Sequence, residues 1–316
     1  MLRIVSLIVI ICMTLFNHIN QVGQSFLQRL PSKAAILTYE DKVYMGFSYK
    51  HDQNFWIEFA SRGPNQLMGI SKFILTPHDH TWTAEAFAQV KKEELLDACT
   101  DWIGPYMVRK GFRPSSVTPN FTGGWHALEQ DTLPTARTIH YTVVGVSLVV
   151  VNRIQGYNTT GSQEDILEEH VTYTLTNRGI QVQVTTKALT DCTIERYYGL
   201  QSQNSFHDGD IIYRSSEETP YPVGASSQAL AHKDVTQKDY AVYAGHKHRL
   251  QVILDTDYGL GKGHYLAEDT PYAFTVNYKK SYFNLINGRS LFLKKDETMK
   301  WRGEYSFQYI HEGMTF

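Results

Sequence analysis

The chain has 316 residues with 30 basic and 32 acidic side chains, and its formal charge of −2 supplies no field to gather nucleic acid or an anionic membrane surface. A hydrophobic content of 42%, with 20 Tyr, 15 Phe and 5 Trp, excludes a disordered chain and provides for a large core. Three cysteines are too few for a disulfide-built scaffold.

Residues 1–25 read as an export signal. Arg3 precedes the apolar run Ile4 to Phe16, which contains Cys12, and a small-x-small site at Gly23, Gln24 and Ser25 marks the cleavage point. The mature chain is expected to begin at Phe26 and to form one domain, residues 26–316, exported to a periplasm or the extracellular space. No later segment is long and apolar enough to cross a membrane as a helix, so no membrane partner is expected after cleavage.

Period-two alternation begins at Ile36 to Phe47. Residues 84–99 fit a helix, or a strand from Trp82 to Val90 followed by a helical turn at Glu93 to Ala98. Residues 101–137 are rich in Gly, Pro, Ser and Asn and read as a long loop. It carries Asp101, Trp102 and Tyr106, then Thr122-Gly123-Gly124-Trp125-His126, then Arg137. Trp102, Tyr106 and Trp125 are suited to stack on sugar rings, and Asp101, His126 and Arg137 to bond hydroxyls or a carboxylate. The alternative is a structural loop over the end of a sandwich with its Trp in the core.

Alternation resumes at Tyr141 to Val151. In residues 168–188, Val171, Tyr173 and Leu175 alternate with threonines, Asn177-Arg178-Gly179 turns, and Ile180, Val182 and Val184 follow, which predicts a half-buried antiparallel hairpin with a hydroxyl- and amide-rich outer face. Glu195, Arg196, Tyr197, Tyr198 and Gln201 come next. On a regular strand Tyr197 and Tyr198 face opposite ways, so only one of them lines a cleft. Residues 201–238 form a second loop-like segment. The pairs His78 with His80 and His246 with His248 lack a third metal ligand. Asp255-Thr256-Asp257 opens as a calcium loop does without the later acids, so no cofactor is predicted and calcium stays open. Strands are expected at Tyr240 to Leu254 and Pro271 to Tyr278. A hairpin is expected from Tyr282–Ile286 to Arg289–Leu293 around Asn287-Gly288, and a last strand at Tyr305 to Tyr309. The sum is an all-β chain, a large two-sheet antiparallel sandwich. Cys99 and Cys192 either pair or lie apart in the core.

The hairpin, the turn Asp191-Cys192-Thr193 and the segment Tyr197-Tyr198-Gly199-Leu200 together resemble the middle of aldose 1-epimerase (galactose mutarotase-like) sandwiches over residues 165–205. Thr122 to His126 is similar to that family's upstream His-Gly-Gly loop. The resemblance implies the large sandwich fold and a saccharide or polysaccharide ligand. That family's histidine position is filled here by Glu195 or Arg196, and no late glutamate stands in its motif.

The expected function is therefore that of a carbohydrate-active protein. His126 and Tyr198 would transfer a proton while an arginine, Arg137 in preference to Arg196, steadies a negative charge, in either sugar epimerisation or β-elimination from a uronate. Asp101, Trp102, Tyr106, Trp125, Glu195, Arg196, Tyr197 and Gln201 would bind the sugar. A non-catalytic glycan-binding protein, and a glycoside hydrolase using Asp101 with Glu195, are the alternatives.

Overall fold

The computed structural model describes residues 34–78, 82–96, 102–127, 133–203, 211–214, 218–221, 239–244, 248–276 and 280–310. The expected signal, Asp101, Cys99, His80 and His246 lie outside the described residues.

Strands β1 (Ala34–Tyr39), β2 (Lys42–Lys50), β3 (Gln53–Arg62) and β4 (Leu67–Pro77) form a meander that ends, after helix α1 (Ala84–Gln89), in β5 (Glu93–Leu96). There follow β6 (Tyr106–Lys110), β7 (Leu133–Pro134), β8 (Ala136–Val144), β9 (Ser147–Gln155), β10 (Asp165–Leu175), β11 (Gly179–Ala188) and β12 (Cys192–Gln203). The remaining strands are β13 (Ile211–Arg214), β14 (Glu218–Tyr221), β15 (Asp239–Ala244), β16 (His248–Leu254), β17 (Tyr265–Leu266), β18 (Ala273–Val276), β19 (Lys280–Leu293) and β20 (Thr298–Tyr309). A nine-stranded sheet runs β14-β13-β15-β16-β20-β11-β10-β9-β8, and a second five-stranded sheet runs β17-β19-β12-β6 with β18 on β19. All described pairings are antiparallel except β17 with β19. The chain is all-β.

The hairpin of β10 and β11 has the register its alternation dictates: Val171 opposes Val184, Tyr173 opposes Val182 and Leu175 opposes Ile180, all buried. Gly179 starts β11 because a Cβ there would lie 1.9 Å from the Tyr305 carbonyl oxygen on β20. Val182 in turn opposes Gly303, and Trp301 and Tyr305 flank Gly303 two positions away. Tyr173, Trp301 and Tyr305 therefore share one face of the nine-stranded sheet.

Both five-stranded sheets cover that face. Phe59 of β3 packs on Tyr173 at 4.7 Å between ring centroids, and Trp301 Nε1 donates to Tyr197 Oη of β12 at 2.8 Å. The sandwich thus has two layers, one continuous and one split into two sheets, around the main apolar core, and a smaller cluster of Leu37, Tyr44, Trp56, Ile74 and Phe87 packs with α1 on β1–β4. Each large side chain it fully buries contributes roughly 1.5–3 kcal/mol relative to exposure.

Two local expectations are corrected. The helix falls at Ala84–Gln89, where the Thr83 hydroxyl caps Ala86 N, and Glu93–Leu96 is a strand because β4 offers it an edge. Asn287-Gly288 does not turn a hairpin: β19 runs straight through, with Gly288 at φ 84° and Arg289 and Ser290 bulged opposite β12. A Cβ at Gly288 would lie 2.5 Å from Ala267 Cβ, so the glycine serves a close approach beside β17 rather than a reversal.

Candidate functional site

The segments on either side of β6 are fixed against β12 and β3 by contacts that only particular residues allow. Gly104 lies under β12, where a Cβ would meet the Tyr198 carbonyl oxygen at 2.2 Å. Tyr106 and Thr122 exchange backbone hydrogen bonds of 2.8 and 2.7 Å, which brings the loop back onto β6. Gly123 and Gly124 then take φ of 76° and 55°, the left-handed region that glycine enters without strain. This turn delivers Trp125 against Gly63, whose missing Cβ would stand 2.8 Å from the indole.

Asn65, buried in the turn between β3 and β4, holds this arrangement together. Its Nδ2 donates to the carbonyls of Gly124, at 3.1 Å, and His126, while its Oδ1 accepts from the amides of Thr135 at 2.7 Å and Ala136 at 3.3 Å. One side chain thereby satisfies four backbone groups of two segments distant in sequence.

On the outer side of the loop, His126 is exposed and Phe121, Trp125 and Tyr198 are half-buried. The Phe121 ring lies 5.9 Å from the His126 ring and 5.6 Å from that of Tyr198. Tyr198 continues the aromatic run to Phe274 at 5.3 Å and Tyr282 at 5.4 Å. Phe121 thus joins the two segments that carry candidate chemistry into one ledge.

Beside Trp125 a narrow crevice of about 50 Å³ opens between the loop, β3–β4 and the nine-stranded sheet, lined by Arg62, Gly69, Trp102, Trp125, Asn152 and Glu169 among others. Glu169 is buried at its floor and accepts from Tyr106 Oη and, at 3.0 Å, from Asn152 Nδ2. Burial raises its carboxyl above the usual carboxylate range against the opposing pull of those two hydrogen bonds. Tyr106 stacks on Tyr197 at 4.1 Å, and burial with the neighbouring Glu169 holds its phenol well above the ordinary value.

Several expected ligand contacts are corrected. Trp102, Tyr106, Tyr197 and Gln201 are almost fully enclosed in the core, where the split layer needs large rings to fill it, and they present no outer face for stacking. Glu195 is not free to act as a hydrolytic carboxylate. Arg109 Nε donates to it at 2.8 Å and Tyr157 Oη at 3.2 Å, and Arg109 also donates to the carbonyls of Gly111, Phe112 and Arg113. Arg137, expected in a loop, lies on β8 with both guanidinium arms on Asp165, at 2.8 and 2.5 Å. Tyr197 faces in and Tyr198 out, as alternation requires.

Among the described residues no group of three or more His, Cys, Asp or Glu is placed to hold a metal, and Asp255 is paired with Arg302 at 2.6 Å. Cys192 is a buried free thiol pushed up to about 12 by burial.

The arginines now separate. Arg137→Ala is expected to change stability by no more than ~1 kcal/mol, because its pair with Asp165 is solvent-exposed, and to leave sugar affinity unchanged. Arg196→Ala, at a half-buried position two residues before Tyr198, is expected to be the arginine change that weakens binding of an acidic sugar. Thermal melts with glucuronate titrations of both variants check this, and weakened binding in Arg137→Ala alone would reverse the assignment.

No protein-family model and no curated protein matches the chain. Among solved structures it is similar to a galactose 1-epimerase from Lactobacillus acidophilus NCFM, at 10% identity and TM-score 0.37, over 88% of this chain and 99% of that one. It is similar to a galactose mutarotase-like protein from Clostridium acetobutylicum at 6% identity and TM-score 0.38, over 88% and 99%. A 4-alpha-glucanotransferase from Thermococcus litoralis matches at 9% identity and TM-score 0.35, over 88% of this chain and 40% of that one.

Proposed function

We propose that this protein binds a saccharide along the ledge of Trp125, His126, Phe121 and Tyr198, and that His126 moves a proton on it in an epimerase-like or uronate-eliminating reaction. The observation that carries this reading is the ring contact of Phe121 with both His126 and Tyr198. Aromatic faces stack on the apolar faces of sugars, and an exposed imidazole exchanges protons near neutral pH. Asn65 fixes the turn that presents Trp125 and His126, so little ordering is left for the ligand to impose.

A second reading, glycan binding without turnover, is favoured by the half-buried aromatic run from Phe121 through Tyr198 to Phe274, which needs no proton-transfer group to hold a sugar. The test is incubation of the protein with polygalacturonate, alginate and a neutral glucan. Unsaturated uronate absorbance, reducing ends and exchange at sugar carbons in deuterated water are followed together. Unsaturation marks elimination and exchange without cleavage marks epimerisation. Retention on a polymer column with none of these signals selects the binder, and absence of both binding and reaction removes the saccharide reading.

The proposal includes export. Expression with the natural leader in a secreting host is expected to yield an N-terminus at Phe26, read by N-terminal sequencing. Recovery of the uncut chain in the membrane fraction would replace cleavage with anchoring.

A further inference from the structure

The nine-stranded sheet ends on two different edges. At one end β14 carries Glu218 and Pro220, a charge and a residue with no N–H to offer, and both discourage another strand from joining. At the other end, from Thr138 of β8 to Val146 in the turn that follows, there is no Lys, Arg, Asp, Glu or Pro. The segment is apolar as well as uncharged. Of the nine exposed large apolar side chains among the described residues, Ile139, Tyr141, Val143, Val144 and Val146 stand within eight positions, a cluster rather than the scattered exposure of any surface. Val144 and Ser147 flank the two-residue turn Gly145-Val146, so they form a hydrogen-bonded pair, and alternation makes Thr142 and Val149 another. The N–H and C=O groups of Tyr141 and Val143 therefore point away from β9, and no described residue pairs with them. Their side chains lie opposite Val150 and Leu148, which are fully buried, yet on that same inner face Tyr141 and Val143 are 36% and 38% exposed. The covering layer meets β8 at its start, where Met68 N of β4 donates to Thr138 Oγ1 at 2.9 Å. Beyond that point the core face of the sheet runs on past its cover.

We propose that β8 is the contact edge of a homodimer, in which it pairs antiparallel with β8 of a second copy about a two-fold axis at Thr142. The inference stands apart from the saccharide reading. In that register Tyr141 of each copy faces Val143 of the other, and each pair exchanges the N–H and C=O groups that the single sheet leaves open. An aromatic ring beside a β-branched side chain is a favourable cross-strand pair, and the axis forms it twice. A second copy suits this edge because the strand is its own complement. It brings the same uncovered inner face, so one contact covers both, and it brings no charge to oppose its twin. His140 is the one side chain between Thr138 and Val146 able to become cationic, and this register sets it opposite Val144 rather than another imidazole. The nearest fixed charge, Arg137, is held by Asp165 of its own chain through both guanidinium arms.

Sedimentation velocity of the purified chain tests this, and the expected species has twice the 36.2 kDa of one chain. Thr142→Lys places two ammonium groups across the axis and Thr142→Asp two carboxylates. Each variant alone is expected to weaken the dimer on the order of tenfold at low salt, and an equimolar mixture of the two is expected to restore it. Val143→Pro removes an N–H that faces away from β9, so the hairpin keeps its ladder while the dimer is lost. The charge pair decides the matter even should Val143→Pro fold poorly. Phe292→Lys, at a 55% exposed apolar site on β19, is expected to leave the mass unchanged. Amide hydrogen exchange at Tyr141 and Val143 is expected to be slow in the wild-type dimer and fast in Thr142→Lys. A wild-type chain that sediments as a monomer at about 100 μM overturns the proposal, since an association weaker than that is no specific dimer. A dimer that folded Thr142→Lys and Thr142→Asp both leave intact overturns it too. Slow exchange at Tyr141 and Val143 in a monomer would give the edge to a segment of the same chain, and that also overturns the dimer.

Discussion

Asn65→Leu is expected to destabilise the protein by about 3 kcal/mol, because it removes hydrogen bonds from four buried backbone groups, of which the His126 carbonyl keeps a second donor in the Thr135 hydroxyl. The asparagine is 3% exposed and bonds two carbonyls and two amides. Leucine is close in size and fits the site by volume, so the loss measures hydrogen bonding rather than a cavity. For a chain of this length the change corresponds to a fall in melting temperature of roughly 5 °C. Asn65→Asp is expected to be no milder, since it points a carboxylate oxygen at the carbonyls of Gly124 and His126. The functional part is separate: with the turn released, Trp125 and His126 lose their fixed places, and sugar affinity should fall even at temperatures where the variant is fully folded. Calorimetric melts with limited proteolysis between residues 111 and 127 check both parts. A wild-type melting temperature in Asn65→Leu would show that the turn holds itself.

The sandwich was legible because its strongest signals are local. The β10–β11 register follows from alternation alone, and the opposite facing of Tyr197 and Tyr198 follows from the same rule on β12. What misled was chemistry read without burial. Trp102 and Tyr106 look like sugar platforms in a Gly- and Pro-rich segment, yet a layer split into two sheets leaves space at its seam, and rings from the connecting segment fill it. Asn65 escaped notice because Gly63-Pro64-Asn65-Gln66 has the composition of any turn, and only the tertiary fold shows which backbone groups its amide reaches. Glu169 left a signal that could have been used. Counting back by twos from Leu175 through Tyr173 and Val171 arrives at an acid on the apolar face. Asn287-Gly288 shows the converse, a strong turn dipeptide overruled because β12 pairs on both sides of it and β17 needs the close approach.

His126→Ala is expected to lower turnover about 10²- to 10⁴-fold while leaving sugar affinity within a few-fold of wild type, as befits removal of a proton-transfer group that contributes to the transition state more than to ground-state binding. The side chain is exposed and its ring touches Phe121, while the backbone carbonyl that Asn65 holds is retained in the variant. Its loss should therefore cost stability no more than ~0.5 kcal/mol, the range of ordinary surface changes. Phe121→Ala predicts a different profile. It removes the ring that joins His126 to Tyr198, so affinity and turnover should fall together. Tyr198→Phe keeps the stacking face and deletes only the hydroxyl. If Tyr198 relays the proton, that variant should follow His126→Ala in turnover, and if it only stacks, it should behave as wild type. Steady-state kinetics on whichever uronate or neutral polymer proves reactive, with affinities measured separately, distinguish these cases. Unchanged turnover in His126→Ala, with Phe121→Ala defective in both measures, would take the imidazole out of the chemistry and leave an aromatic ledge whose work is to hold a glycan.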